Sequence, residues 1–292
     1  MKPFGAFLMR SRRNAGILAF AFALLPILNW LSIIITLLVT LRKGAQEGVW
    51  ILSCTLLPLC VLAFTVGRLA VIYNMLIPIL VVWGLALVLR STHNWASVLL
   101  IGAGVGVIAI VVLHSYIANI DAWWQHKMLS YLQQLSVGIN VDTMQQKQTI
   151  LHLSKIATGL QIAVLLLMNL LWLLLARCWQ AILYNPGALR GELQAIRIPR
   201  WVSVVLLLVL VMVLLIKQPL LIDLLPVLLL PFMLAGLSLF HFIIAVRKMH
   251  WLWLFVFYIA LLFAFPYIGM ALVLLALVDS GLNLRQRYRA RS

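Results

Sequence analysis

The sequence predicts an all-α, polytopic membrane protein, and three observations carry the prediction. Of its 292 residues 65% are hydrophobic and only 10% are charged, whereas a soluble domain carries charge on about a quarter of its residues. The apolar residues fall into continuous runs close to the roughly 20 that a helix needs to cross a bilayer core, with no alternation of the kind a transmembrane barrel strand shows. Backbone groups in such runs find partners only within helices. The basic residues stand at the ends of the runs, where they orient a chain by the positive-inside rule.

In order, the chain begins with a basic head, Lys2, Arg10, Arg12 and Arg13, and an apolar run from Ala15 to Leu41 interrupted by Pro26, Asn29 and Trp30. Head and run mimic a signal peptide, yet the apolar stretch continues past any cleavage site, and it is read as retained. Six clear spans follow: Val49 to Gly67, Leu69 to Leu89, Ala96 to Ile117, Leu160 to Leu183, Trp201 to Ile216 and Leu224 to Val246. Between the third and fourth lies the long non-spanning segment 118–159, which reads as two amphipathic interfacial helices. Ile120, Trp124, Met128, Leu132 and Leu135 form the apolar stripe of the first, and Asp142 with Gln145 forms a capping box for the second. The paired Trp123 and Trp124 suit a headgroup region. A second broken run, Trp251 to Val278, contains Pro266 and leads through Asp279 to the tail arginines 285, 287, 289 and 291. The expectation is one integral membrane domain, 1–292, with eight helical membrane segments, or more if the broken runs return on themselves.

Charge decides between those two topologies. If each broken run enters and returns, the N-terminal head, Arg42, Lys43, Arg90, Arg177, Arg190, Arg197, Arg200, Arg247, Lys248 and the tail share one side, and only Arg68, Lys127, Lys147, Lys155 and Lys217 face the other. If each crosses once, the densest basic loop falls on the wrong face. The positive-inside bias therefore favours two proline-broken hairpins and places both termini in the cytoplasm, the alternative being kinks in tilted single spans.

The stretches LPILNW, LVTLRKGAQEGV, IRIPRW, LAGLSLFHF and FPYIGMALVLLALVDSGLNLRQR, taken together, resemble the YybS-like family of bacterial inner-membrane proteins, a domain of unknown function. That family is in turn distantly similar to the substrate-binding S components of energy-coupling-factor transporters. The resemblance implies a bacterial cytoplasmic membrane, six helices with both ends inside, and docking to a partner subunit through an AxxxA face on the first helix. Ala15, Ala19 and Ala23 have that spacing here. Small residues at such spacing also serve ordinary internal packing.

Chemistry is sparse. The six carboxylates are Glu47, Asp121, Asp142, Glu192, Asp223 and Asp279. None is placed at mid-membrane, and no two share a face at metal-binding or acid–base spacing, so neither proton-coupled carriage nor metal-dependent lipid chemistry is indicated. No phosphate-cradling loop is present, the histidines show no ligand pattern, and Cys54, Cys60 and Cys178 sit within or at the ends of apolar runs. We therefore expect no enzymatic activity, metal or cofactor. The net charge of +16 is distributed over helix ends, which points to the lipid bilayer and anionic inner-leaflet lipids as partners and away from nucleic acid.

The preferred topology sends a set of polar residues to the outer face: Asn29, Trp30, Arg68, Asn74, His114, Asp121, Trp124, Asp223 and Tyr267. From it Asn29, Trp30, Arg68, Asp121, Trp124, Asp223 and Tyr267 are the candidate solute-binding residues. Arg68 either snorkels to headgroups or pairs with Asp121 or Asp223 over a cavity. On the inner face Arg177, Arg197 and Arg200 are expected to orient the protein and meet lipid headgroups, and Asp279 to form a local salt bridge with the arginine tail. Two functions follow: a small-solute-binding transporter subunit of S-component type that depends on a partner for energy, or a non-transporting assembly or scaffold protein.

Overall fold

The computed structural model describes residues 2–25, 27–65, 69–135 and 144–289, and among them every regular element is a helix. In chain order these are α1 (Lys2–Arg10), α2 (Arg12–Leu24), α3 (Asn29–Lys43), α4 (Ala45–Thr65), α5 (Leu69–Thr92), α6 (Trp95–Tyr116), α7 (Ile120–Leu135), α8 (Met144–Ser154), α9 (Ala157–Tyr184), α10 (Ala188–Gln194), α11 (Arg200–Ile216), α12 (Pro219–Val246), α13 (Leu252–Phe263), α14 (Phe265–Leu282) and α15 (Leu284–Arg289). Contacts group the chain into two compact units, Met1–Gly102 with Leu165–Ile196, and Ala103–Val164 with Arg197–Ser292.

Four helices among the described residues are long and apolar enough to cross a membrane: Trp95–Tyr116, Ala157–Tyr184, Pro219–Val246 and Phe265–Leu282. The last lies inside the second broken run, not among the six spans read from the sequence. The apolar stretches Ala45–Val61, Leu76–Thr92, Arg200–Ile216 and Leu252–Phe263 are shorter. Three of the six spans read from the sequence, the third, fourth and sixth, are thus among these four, and a count of six or eight is not confirmed among the described residues.

In the first unit the opening run folds back on itself. α2 ends at Leu24 and α3 starts at Asn29, and the two pack together. Ser32 Oγ donates to the Ala19 carbonyl at 2.7 Å. At the other end of the pair, Arg12 in the first turn of α2 meets Glu47, just beyond α3, at 3.4 Å. The start and finish of the run thus lie together, as a hairpin requires. A ladder of hydroxyls holds the contact: Thr55 Oγ1 lies 3.0 Å from Ser32 Oγ and 2.9 Å from Thr36 Oγ1, and Thr40 bonds back to the Thr36 carbonyl. Each hydroxyl is buried with a partner, so none incurs the penalty of an unmet polar group in an apolar interior. Pro26 lies outside the described residues.

The alanine stripe has an internal use. Ala15, Ala19 and Ala23 are 1%, 0% and 3% exposed, and α2 packs against both α3 and α4. The close-approach surface anticipated as a docking face for a partner subunit is covered by the chain itself, because the hairpin needs small residues where its two legs and α4 converge.

The second unit treats its broken run in the same way. α14 lies along α12, with Gly236 so close to the Leu272 backbone that a Cβ there would collide with its carbonyl. α13 packs on α14 and touches α12 through Tyr258, whose Oη lies 3.1 Å from His241 Nε2, and through Phe257, stacked on Phe240. Arg247, before the run, stacks its guanidinium 5.4 Å from the ring of Tyr288, after it. The chain breaks at Ala264, and Pro266 stands in the first turn of α14, where its missing N–H costs nothing.

The interfacial segment forms α7 and α8, which pack on each other, with Ile120 and Ile150 buried and Trp123 42% exposed. The capping residue expected for α8, Asp142, lies outside the described residues.

Candidate functional site

One end of the second unit gathers polar side chains over an apolar floor. The floor is Ala103, Ile110, Ala163, Leu224 and Val227, contributed by α6, α9 and α12. At one edge of it the sequence of each helix turns polar, beyond Ile110 in α6 and ahead of Ala163 in α9 and Leu224 in α12. Asp223 lies about one turn into α12, His114 falls in the last turn of α6, and Gly159 is the third residue of α9.

Asp223 is 0% exposed, yet both of its oxygens are bonded. Oδ1 accepts the Gly159 N–H at 3.0 Å, and Oδ2 lies 2.8 Å from His114 Nε2. The first bond makes Asp223 a cap supplied by another helix, since the N–H groups of the first turn of α9 lack intrahelical partners and carry the positive end of its dipole. Glycine is required at 159 because a Cβ there would collide with the Asp223 carbonyl. The contact ties three helices through one carboxylate.

Asp121, in the first turn of α7, stands beside this tie. Its Oδ1 is buried without a hydrogen-bond partner among the described residues. Burial raises its pKa above the ordinary carboxylate value, and the Asp223 charge adds to the rise, while His114 and Lys155 oppose it. α7 is fastened to the start of α9 by Trp124 Nε1 donating to Thr158 Oγ1 at 2.9 Å and to the end of α8 by Gln125 Nε2 donating to Ser154 Oγ at 3.3 Å. Lys127 lies over the edge-to-face pair of Trp123 and Trp124, 4.5 and 5.5 Å from their rings.

Of the candidate residues read from the sequence, the structure brings together Asp121, Trp124 and Asp223. Asn29 and Trp30 belong to the first unit, at the start of α3, Asn29 with its Oδ1 buried and unmatched and Trp30 42% exposed. Tyr267 is 81% exposed on α14. Arg68 lies outside the described residues. His114, which the sequence placed on this face without a role, is the partner of Asp223. Thr158, Gly159 and Lys155 were missed. Their only sequence signal is a short polar stretch ahead of an apolar run, which ordinary helix starts share.

The arginines at the other helix ends have protein partners. In the first unit Arg177 forms a two-pronged ion pair with Glu192 and donates to Gln180 Oε1 at 2.7 Å. In the second, Arg197 donates to the carbonyls of Asp279 and Ser280, at 3.3 and 2.9 Å, and Arg200 to those of Ser280 and Gly281, at 3.3 and 2.8 Å. Asp279 pairs with Arg285 at 3.1 Å, and Arg285 also donates to Ser238 Oγ. Arg177 is therefore neutralised within the protein, whereas Arg197 and Arg200 cap a helix and form no ion pair among the described residues.

No family model, curated protein or solved structure matches the chain. Among the described residues no group of three or more His, Cys, Asp or Glu is arranged to hold a metal ion. What the cluster offers chemically is one carboxylate oxygen without a partner among the described residues, beside the hydrogen-bonded Asp223–His114 pair, with two indoles on the neighbouring α7.

Proposed function

We propose that this chain is a multi-pass membrane protein that binds a small solute at the cluster of His114, Asp121 and Asp223, acting as a binding subunit that relies on a partner for energy. The observation that carries the reading is the unmatched, enclosed Asp121 Oδ1 beside the buried Asp223–His114 pair. An ionisable group buried among apolar helices is expensive to keep, which makes it the first place to look for function. A solute that presents a hydrogen-bond donor or a positive charge would satisfy that oxygen. The resemblance to YybS-like proteins and to S components favours a bacterial cytoplasmic membrane and the same role.

Thermal unfolding of the purified protein against a panel of vitamins, amines and other small metabolites tests this. A ligand that raises the melting temperature of wild type but not of Asp121→Asn supports the site. No response across the panel removes its main support.

The rival is a non-transporting assembly or scaffold protein. It is favoured by the completeness of the Asp223 bonding, which a purely structural tie would also show. Under it, no solute shifts the melting temperature, and Asp121→Asn leaves the growth of cells that depend on the protein unaffected.

A further inference from the structure

At the end of the second unit formed by the start of α11 and the finish of α14, the segment Arg197 to Trp201 and Asn283 line an open groove of about 620 Å³. Three features give it a chemical character. The first is charge. Arg197 and Arg200 form no ion pair among the described residues, and their hydrogen bonds there all go to the terminal carbonyls of α14 through Nε and Nη2. The dipole of α14 offsets roughly half a charge at most, so about one and a half positive charges remain over the groove. Asp279 is already paired with Arg285, and the same unit carries Arg247, Lys248 and Arg287 as further positive charge. The second is donor geometry, since Nη1 of both guanidinia is left for an external acceptor, as a phosphate oxygen requires. The third is what lies next to the groove. Trp201 is 65% exposed at its rim, and α11 beyond it is apolar, with only Ser203 and Leu206 buried. An indole at the edge of a bare apolar helix is the arrangement found at a membrane–water boundary.

We infer that this groove binds the phosphodiester headgroup of an anionic phospholipid, with Arg197 and Arg200 holding the phosphate through Nη1, Trp201 packing at the glycerol level, and an acyl chain lying along α11. A zwitterionic lipid offers the same phosphate but carries its own cation, which would meet the surplus positive charge here. Soluble phosphate would have the charge without the chain. The lipid assignment therefore requires charge and chain together.

The test uses the full chain in neutral detergent. Its thermal stability and its retained lipids, counted by native mass spectrometry, are measured with added phosphatidylglycerol, phosphatidylcholine or sodium phosphate. Phosphatidylglycerol alone should stabilise wild type and remain bound. Loss of one basic contact should weaken that binding roughly fivefold and loss of both about thirtyfold. Arg200→Gln, on the exposed side and removing only part of the helix cap, tests the first figure, and Arg197→Gln with Arg200→Gln the second. Trp201→Ala, which touches no cap, should weaken lipid retention without lowering the stability of the lipid-free protein, so the inference is tested even if the double variant does not fold. Arg247→Gln with Lys248→Gln, on the same end but outside the groove, should leave retention unchanged. Equal loss in that control would reduce the effect to diffuse surface charge and overturn the site, as would phosphatidylglycerol binding unaltered in Arg200→Gln and Trp201→Ala. Stabilisation by sodium phosphate as strong as by lipid would overturn the lipid assignment.

Discussion

Replacing Asp223 by alanine removes the carboxylate that joins α6, α9 and α12 and leaves two donors stranded. The Gly159 N–H, 3.0 Å from Oδ1, and the ring nitrogen of His114, 2.8 Å from Oδ2, both lose their partner in a place where Asp223 itself is fully buried. A buried donor left unmet costs about 1–3 kcal/mol. Two such losses give roughly 2–6 kcal/mol, a substantial part of the ~5–15 kcal/mol that holds a typical domain together. Asp223→Asn keeps an acceptor for Gly159 and can donate its amide to a neutral His114, so it should cost about 1–2 kcal/mol. Unfolding in mixed micelles, followed by tryptophan fluorescence, measures both. A cycle with His114→Ala should return a coupling of roughly 1.5–3 kcal/mol for the 2.8 Å contact. An Asp223→Ala protein within about 0.5 kcal/mol of wild type, or a coupling near zero, would refute the tie.

Ala19→Leu should destabilise the isolated protein by about 1–3 kcal/mol through overpacking at a fully buried site in the α2–α3 hairpin, read as a lower melting temperature. If Ala19→Leu instead removed a copurifying protein at unchanged stability, the internal reading of the stripe would be wrong. Gly236→Ala forces a methyl onto the Leu272 carbonyl and should cost at least as much, checked in the same assay. Asp121 titrates above the ordinary carboxylate range because it is buried and near Asp223. The folded state therefore holds this proton more tightly than the unfolded chain, and the contribution is complete at low pH. It is lost as pH rises through the raised value. Stability of wild type relative to Asp121→Asn should fall as pH increases above about 4, and a difference independent of pH would contradict the burial of that group. Single cysteines introduced at Arg10 and Lys43, which flank the first broken run, should label from the same face of the membrane in a cysteine-free background, and so should those at Lys248 and Arg287, which flank the second. Labelling of Arg10 and Lys43 from opposite faces would exclude the returning hairpin.

The helical class and the existence of two broken runs are legible in the sequence because they depend on local quantities, namely the length and continuity of apolar stretches and the position of prolines. The return of the first run was legible through charge, and the contact of Arg12 with Glu47 brings its two ends together. The number of membrane-crossing helices was less legible, since apolar composition does not show where a helix stops. Arg200–Ile216 has 17 residues, and Phe265–Leu282 acquires its 18 only because the break falls at Ala264. In the candidate site Asp121, Trp124 and Asp223 stood out as polar residues at apolar boundaries, yet their partner assignments did not. Arg68 was the expected counterion. The carboxylate is instead completed by a histidine 109 residues away and a backbone N–H 64 residues away.

By itself the sequence determined that this is an all-α chain with the apolar helices of a membrane protein, that its basic residues collect at helix ends, and that its first and last apolar runs are interrupted. Those follow from hydropathy, charge and backbone chemistry acting over a few residues. Only the tertiary structure decided which small residues face inward, so that Ala15, Ala19 and Ala23 became core, and which charges are paired, so that Arg177 is neutralised while Arg197 and Arg200 form no ion pair among the described residues. The reason is that burial and pairing depend on which helix lies alongside, and that is set by close backbone approaches such as Gly159 on Asp223 and Gly236 on Leu272, which join residues far apart along the chain.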